Sequence, residues 1–278
     1  RMPWKLYVDS RKRIAGARGD TDSDFAIRLP YPITVRDRVY VDVCLFSNSF
    51  YSIRAGENDR IFLDELAAQT KRVTVIAPGQ SNAYTLRDAL VSALNTGRGI
   101  SGQYRVTYLE VTNRFSIDIV NPATTEVFRI WTDAALTAIT AEWTSFAAPD
   151  ALRTANRPCG FLSGSHLTGA HLTIAHAANA PDTQPYKQLF LRSSLGGGSN
   201  ESLGVNGETD IIRRLVCGNV ALNALIHDAH ATPFDFVTIS GAPEVSTIWF
   251  QLIDIEGRVV DTHGHPLSFS LIFQDVVE

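Results

Sequence analysis

Cysteine is scarce in this chain and shows no recognisable spacing. Three occur in 278 residues, Cys44, Cys159 and Cys217, and no two have the C-x-x-C separation of zinc sites and redox motifs. An odd number without repeated spacing also gives no disulfide framework. We therefore predict a reducing compartment, with neither disulfides nor a zinc site.

Long apolar runs and a secretory signal are likewise missing from the sequence. No stretch approaches the roughly 20 apolar residues needed to cross a bilayer, and no basic start followed by an apolar core opens the chain. We expect a soluble protein that has no membrane span and no visible signal for secretion.

Charged residues, and lysines above all, are few. Charged residues are 19% of the chain, against roughly 25% in ordinary soluble domains, which indicates a surface partly covered by other subunits. Of the 25 basic residues only four are lysines. Arginine suits interfaces because its planar fork makes paired hydrogen bonds and is weakly hydrated. A GC-rich genome explains the arginines equally well.

The charge is also unevenly distributed. Residues 1–20 contain six basic and two acidic groups, a net charge of +4. Because the whole chain has a net charge of −4, the remaining residues carry −8. The sequence thus predicts a basic amino-terminal arm over 1–22, able to touch nucleic acid or an acidic neighbour. A merely solvated tail is the alternative. The interaction candidates are Arg11, Lys12, Arg13, Arg18, Gly19 and Asp20.

Signatures of catalysis are absent. The chain has no Gly-x-Ser-x-Gly elbow between a strand and a helix. It contains neither a phosphate-binding GxxxxGK[ST] loop nor a GxGxxG turn opening a helix. Its carboxylates are scattered, so no acid–base pair stands out. We predict that the protein is not an enzyme and holds no cofactor.

The histidines provide one weak metal candidate. His263 and His265 form an H-x-H pair like that of cupins, but the sequence HGHPLSFSLIF lacks the glutamate that should follow. His166, His171 and His176 alternate between the two faces of a strand and do not converge. His227 and His230 have helical spacing without a third ligand. Surface or hydrogen-bonded histidines are the alternative to a metal site.

The tripeptide Arg18-Gly19-Asp20 lies within the basic segment. Such a tripeptide binds integrins when a mobile loop displays it. Three residues also occur together by chance, and this segment directly precedes the first strand of the body, where it can be covered.

Apolar residues recur at every second position along much of the chain. In RVYVDVCLF, Val39, Val41 and Val43 share one face, and LSFSLIF alternates in the same way. Such alternation predicts strands with one buried face. The predicted strands are 4–10, 24–29, 39–45, 72–77, 103–111, 115–119, 126–131, 171–176, 187–195, 234–240, 246–255 and 267–273. A Pro-Tyr-Pro turn is predicted after the second of them.

One helix interrupts this pattern clearly. YTLRDALVSALNTG places Leu86, Leu90, Val91 and Leu94 on one face. Thr85 is the predicted cap, with Asp88 at capping-box spacing three residues later, and Gly97 ends the helix. Weaker helices are predicted over 133–143 and 210–215. Trp131, Trp143 and Trp249 are expected in the core.

Together these elements predict an all-β fold, a jelly-roll antiparallel β-sandwich with a helix-containing insertion. We expect the jelly-roll domain to cover 23–278 and the inserted subdomain to cover about 78–165. The predicted strands lie on both sides of the glycine-rich segment 194–209, so we interpret that segment as a loop within the domain.

Three stretches resemble one known family. LYVDSRKR followed by SDFAIRLPYPITVRDRVYVDVCLFSNSFYSI is similar to the amino-terminal block of the minor capsid (penton) proteins of Polinton-like viruses, adintoviruses and virophages. VTVIAPGQSNAYTLRDALVSALN resembles that family's strand and capped helix, and STIWFQLIDIEGRVVDTHGHPLSFSLIF resembles its closing hairpin. The resemblance spans about half of the chain, and Cys159 departs from the family pattern.

The resemblance implies a structural virion protein located in the capsid. It implies a jelly-roll protomer that forms homopentamers at the fivefold vertices of an icosahedral capsid of a double-stranded DNA virus. The major capsid protein would be its neighbour, and a spike, a fibre or a host receptor would be a further partner. The alternative is a non-enzymatic jelly-roll binding module for carbohydrate or a receptor, which needs an exposed aromatic platform.

Overall fold

Two compact units make up the chain. One comprises Arg1–Phe50 with Tyr186–Glu278, and the other comprises Tyr51–Pro185. The computed structural model describes residues 4–17, 19–34, 38–66, 68, 70–79, 81–121, 126–138, 153–162, 166–170, 173–196, 210–218, 220–221, 223–229, 236–238 and 244–274. In chain order, the second unit is an insertion between two strands of the first.

The first unit is built from strands. They are β1 (Trp4–Asp9), β2 (Asp24–Thr34), β3 (Arg38–Ser47), β11 (Gln188–Ser193), β12 (Ile211–Val216), β13 (Leu225–Asp228), β14 (Val237–Thr238), β15 (Glu244–Ile253) and β16 (Ser268–Gln274). One sheet has the order β1-β16-β3-β13, with β14 also pairing with β3, and the other has the order β12-β11-β15-β2.

This strand order is that of a jelly roll. The chain alternates between the sheets, β1 in one, β2 in the other and β3 back in the first, while the last strand, β16, lies between β1 and β3. Two four-stranded layers interleaved in this way form the double Greek key of the jelly roll. The predicted fold class is confirmed. The inserted unit follows the third strand of this set, β3, and precedes the fourth, β11.

Alternating side chains fill the space between these two sheets. Val39 and Val41 on β3 and Phe269, Leu271 and Phe273 on β16 are all buried in one core. The period-two pattern predicted these inward positions, because successive side chains of a strand point to opposite faces. It also predicted that Val43 shares this face, which is wrong, because the register of β3 against β16 shifts between Val41 and Val43 and Cys44 is buried instead.

The second unit combines two sheets with a helix. Its strands are β4 (Arg60–Glu65), β5 (Thr70–Val75), β6 (Gln103–Leu109), β7 (Arg114–Val120), β8 (Val127–Trp131), β9 (His166–Ala170) and β10 (Ala175–His176), and its helices are α1 (Ala83–Asn95), α2 (Asp133–Ala138) and α3 (Asn156–Cys159). The sheets have the orders β5-β4-β8-β9 and β10-β7-β6.

Helix α1 buries one face in the core of this unit. Leu86, Leu90 and Leu94 are fully buried there together with Phe115 and Ile117 of β7. This is the predicted apolar stripe, except that Val91 is only partly buried. The cap differs from the prediction, because the Asn82 side chain accepts the backbone N–H groups of Tyr84 and Thr85.

Three local predictions are wrong. Residues 210–215 were predicted as a helix, but 211–216 form β12, the end strand of the β12-β11-β15-β2 sheet. The predicted Pro-Tyr-Pro turn is instead extended, because β2 continues to Thr34. The tryptophans Trp131 and Trp249 are half-buried rather than in the core, and Trp143 lies outside the described residues.

The domain boundaries also differ from those expected. Residues 4–9 are not an arm, because β1 pairs along its whole length with β16. The inserted unit covers 51–185 rather than about 78–165, because β4 and β5 belong to its sheets. The helix predicted over 133–143 is present as α2, with 139–143 outside the described residues. Among the described residues, no helix is long and apolar enough to cross a membrane.

Candidate functional site

Two segments singled out in the sequence meet in the first unit. Because β1 runs antiparallel to β16, its last residue Asp9 lies opposite Ser268. The Ser10 backbone N–H donates to the Leu267 carbonyl at 2.9 Å, and the Leu267 N–H donates to Ser10 Oγ at 3.1 Å. The basic segment and the histidine hairpin therefore form one cluster of loops, which we call the loop cluster (residues 9–24 and 259–268).

Asp9 organises the start of the basic segment. It caps a short 3-10 turn, Ser10–Lys12, by accepting the Arg11 backbone N–H. Its two oxygens also accept Arg11 Nε at 2.9 Å and Nη2 at 2.6 Å. These bonds from Arg11 lower the pKa of Asp9 to about 2. The Arg11 charge is thus neutralised within its own turn, although its side chain is mostly exposed.

Arg13 is paired in the same way with two acidic residues further along. Its Nε donates to Asp20 at 2.9 Å and its Nη1 to Asp22 at 3.1 Å. Asp22 also accepts the Ser10 hydroxyl at 2.6 Å. The described part of the predicted cationic arm is therefore a folded loop in which Arg11 and Arg13 bind carboxylates of the same segment. Lys12, in contrast, is exposed.

The Arg-Gly-Asp tripeptide is held by this network at its acidic end. Asp20 accepts the Gly16 backbone N–H and Arg13 Nε, and these two bonds lower the pKa of Asp20. Gly19 has a φ of +64°, and a Cβ there would lie 2.7 Å from the Asp24 side chain. Arg18 lies outside the described residues, and integrin binding stays a prediction.

The H-x-H pair occupies a tight hairpin turn. The His263 N–H donates to Asp261 at 2.7 Å, and the His265 N–H donates to the Thr262 carbonyl at 3.0 Å. Within the ranges that the structure describes, no three His, Cys, Asp or Glu side chains come together to hold a metal ion. The weak metal candidate gains no third ligand.

The other predicted histidines are scattered. His166 and His176 are on different strands of the second unit, β9 and β10, and burial lowers the pKa of His166. His227 is exposed on β13 of the first unit. His171 and His230 lie outside the described residues.

A cleft of about 390 Å³ opens within the loop cluster. It is lined by Thr21, Asp22 and Ser23 from one segment and by Val259–Thr262 and Gly264 from the other. Both of its carboxylates already have partners, since Asp22 accepts Arg13 and Asp261 accepts the hairpin N–H of His263. The residues that line the cleft therefore provide no converging acid–base pair.

Sequence reasoning missed exposed aromatic residues on both units. In the first unit, Tyr7 on β1 is 77% exposed and Tyr31 on β2 is 80% exposed. In the second, Tyr84 is 45% exposed and packs edge-to-face against Tyr108 at 5.2 Å. Large exposed aromatic side chains are common in interfaces. Sequence alone gave no signal for them, because strand tyrosines occur on inner and outer faces alike.

Polar groups surround the rings of Tyr84 and Tyr108. We call these two residues, with Arg87 and Glu110, the Tyr84 patch. The Tyr84 hydroxyl donates to Glu110, and the Tyr108 hydroxyl donates to Asn113 at 2.6 Å. The Arg87 guanidinium lies 5.8 Å from the Tyr84 ring centre. Val111, at the tip of the β6–β7 hairpin, is fully exposed. This arrangement places one half-exposed aromatic ring among polar groups on the surface of the second unit.

Comparison with known proteins gives a likeness in fold. No family model matches the chain, and no curated protein matches it significantly. Among solved structures, the crystal structure of the mavirus penton protein matches with a TM-score of 0.53 and 10% sequence identity, over 99% of this chain and 100% of that chain. The two proteins therefore share one fold along essentially their whole lengths.

Proposed function

We propose that this protein is a structural virion protein, a penton protein that forms pentamers at the fivefold vertices of an icosahedral capsid. The observation that carries this proposal is the full-length match to the mavirus penton protein. The match includes the inserted unit as well as the jelly roll, and an isolated jelly roll would cover only part of that chain.

Physical features of the first unit support a role in assembly. A ring of identical subunits needs two different surfaces that meet head-to-tail. The edge strands β1 and β2 each have a sheet neighbour on one side only, and such edges invite association unless they are blocked or covered. The low charged fraction, 19%, fits a surface partly covered by neighbours. A structural role also agrees with the loop cluster, because its carboxylates Asp9, Asp20 and Asp22 hold arginines of the same loop in place.

We further propose that the exposed cation Lys12 faces the major capsid protein or the packaged nucleic acid, while the Arg11 charge stays paired with Asp9. The variant Lys12→Ser should lower particle yield and the salt concentration that particles tolerate, since such a contact is electrostatic. A matched control is Lys187→Ser, which removes one exposed charge elsewhere. Unchanged yield and salt tolerance would show that Lys12 has no part in assembly.

Sedimentation velocity of the purified full chain, followed by negative-stain imaging, tests the pentamer. We expect a species of five times the monomer mass of 30.5 kDa and rings with fivefold symmetry. If the chain alone is monomeric, co-expression with its major capsid protein should place it at the vertices of particles. Particles whose vertices lack it would contradict the proposal.

A second candidate function is binding of carbohydrate or a receptor by the second unit. It rests on the Tyr84 patch, in which a half-exposed ring is fixed by Tyr108 and surrounded by Arg87 and Glu110. Glycan-array binding that Tyr84→Ala abolishes, with Tyr40→Ala of the first unit as control, would support it. The absence of any glycan or cell binding by the assembled particle would exclude it.

A further inference from the structure

We propose that Tyr31 of one copy inserts into a groove on the outer face of the β1–β16–β3 sheet of the next copy. This inference rests on the proposed ring, because it identifies the contact that joins neighbouring subunits. Both surfaces belong to the first unit.

Tyr31 is a rigid aromatic projection. It lies on edge strand β2 between Pro30 and Pro32, and 80% of its surface is exposed. The register of β2 against β15 shifts here, since Arg28 pairs with Thr247 and Ile33 pairs with Val245. Residues 29–32 therefore bulge away from the ladder. The two prolines fix the local backbone and lack N–H groups, so little entropy is lost when the ring is bound.

The groove lies across the outward side chains of three strands. Tyr7 of β1 and Val43 and Leu45 of β3 form its walls, and the small residues Ser268 and Ser270 of β16 lie between them. Its volume is about 360 Å³, near the lower end of the roughly 300–1,000 Å³ of ligand pockets. A groove of this size suits one aromatic side chain.

The chemistry of the two surfaces matches. A tyrosine has an apolar ring and a polar hydroxyl, and the groove offers aliphatic and aromatic walls with serine hydroxyls between them. The charged groups at the groove are already paired, Lys5 with Asp42 at 2.5 Å and Asp9 with Arg11, so the apolar walls and the serine hydroxyls carry the contact.

The positions of these surfaces favour a second copy of the chain as the occupant. Tyr31 is on the β12-β11-β15-β2 sheet and the groove is on the other sheet. A contact that joins two different surfaces of identical chains is head-to-tail and generates a ring or a filament. One buried tyrosine covers roughly 150–250 Å², so Tyr31 is an anchor within a larger interface rather than the whole contact.

Disulfide cross-linking tests this contact in the full-length protein. The double variant Tyr31→Cys/Leu45→Cys places one thiol on the projection and one in the groove. Mild oxidation should give covalent dimers, trimers and higher species on non-reducing gels, ending at pentamers when the ring closes. Tyr31→Cys/Val111→Cys is the matched control, because Val111 is fully exposed on the second unit and should give no such ladder.

The outcomes separate this inference from the proposed function. Fivefold rings in images, with cross-linking no greater than in the control, would overturn the Tyr31 contact and leave the ring standing. A ladder that continues beyond five would support the contact and contradict the closed ring. Monomers without cross-links, together with particles whose vertices lack the protein, would overturn both.

Ring substitutions provide an independent measurement. Tyr31→Ala should weaken association about thirty-fold or more, the loss expected for a central aromatic anchor, whereas Tyr31→Phe keeps the ring and should stay within a few-fold of the natural protein. At concentrations where the proteins are monomeric, neither variant should change the thermal unfolding of the chain, because Tyr31 is exposed there. Equal association of all three proteins would contradict the inference.

Discussion

Arg213 of β12 and Asp228 of β13 form an ion pair between the two sheets of the jelly roll. The Arg213 Nη2 atom donates to Asp228 Oδ1 at 2.8 Å, and their side chains are only 4% and 7% exposed. The pair lies among apolar residues such as Cys44 and Ile226. Two charges in such surroundings are tolerated because each satisfies the other.

Removing one partner of this pair should therefore destabilise the protein strongly. Asp228→Ala leaves the Arg213 guanidinium buried without its carboxylate, which typically costs about 3–5 kcal/mol of the free energy of unfolding. Urea denaturation followed by tryptophan fluorescence measures the change. The double variant Arg213→Met/Asp228→Leu removes both charges and should recover most of the loss.

A surface ion pair provides the control for that experiment. Arg157 lies 3.4 Å from Asp182 and is 70% exposed, and exposed pairs contribute little to stability. Arg157→Ala should leave the denaturation midpoint nearly unchanged. An equal loss in Arg157→Ala and Asp228→Ala would refute the idea that burial makes the Arg213–Asp228 pair important.

The same pair explains why one strand was predicted as a helix. In IIRRLV, Ile211 belongs to an outer cluster, while Ile212 and Leu215 belong to the core. β12 has one extra residue here, Ile212, because its neighbours Ile211 and Arg213 pair with the consecutive residues Arg192 and Leu191 of β11, so the alternation is interrupted. The inward Arg213 interrupts it again. The spacing of the remaining apolar residues resembles that of a helix. Only the pairing with β11 shows that the segment is a strand.

That β3, β7 and β16 are strands was predictable from the alternation of apolar residues, but the shift in register of β16 against β3 at Ser270 and Leu271 was not. The site was harder to predict. Arg13 meets Asp20 and Asp22 because the loop folds back on itself, and a count of charges over 1–20 does not contain that geometry. The exposure of Tyr31 depends on the bulge in β2, which the sequence marks only with two prolines.

The pairing of Asp9 with Arg11 predicts a change in stability at low pH. Asp9 has a pKa of about 2, lowered from 3.8 chiefly by Arg11. A carboxyl whose pKa is lower when folded contributes stability above its unfolded pKa, and this contribution is lost as the pH falls from about 4 through 2. In Arg11→Ala the contribution should be smaller and the decline over that interval shallower.

Carboxyl-carbon NMR of protein labelled at aspartate can follow this group directly. The pH at the midpoint of the Asp9 titration should rise toward 3.8 in Arg11→Ala. Lys12→Ala is the control, because it removes a neighbouring charge and retains both Arg11 bonds to Asp9. A midpoint that stays near 2 in Arg11→Ala would mean that another group lowers the pKa.

The cap of α1 gives a prediction that distinguishes the structure from the sequence pattern. The sequence pattern indicated Thr85 as cap with Asp88 as its partner, whereas Asn82 is the cap and Thr85 returns a hydrogen bond to its backbone. Asn82→Ala should cost about 1 kcal/mol of unfolding free energy, measured by urea denaturation. Asp88→Ala should have little effect. A larger loss in Asp88→Ala than in Asn82→Ala would favour the pattern predicted from sequence.

The three cysteines should be inert toward thiol reagents in the folded protein. Cys44, Cys159 and Cys217 are free and buried, and burial raises all three pKa values, that of Cys217 to about 12. Because the thiolate is the reactive form, reaction with an aromatic disulfide reagent at pH 8 should await unfolding. Three thiols should then react in urea.

An engineered surface thiol controls for reagent access in the same assay. Val111→Cys adds a cysteine at a fully exposed position, and one thiol per chain should react at once while the other three stay protected. Rapid reaction of a native cysteine would show that the core opens more readily than its packing implies. It would also remove the basis for the cross-linking test, because that test requires the engineered pair to be the reactive one.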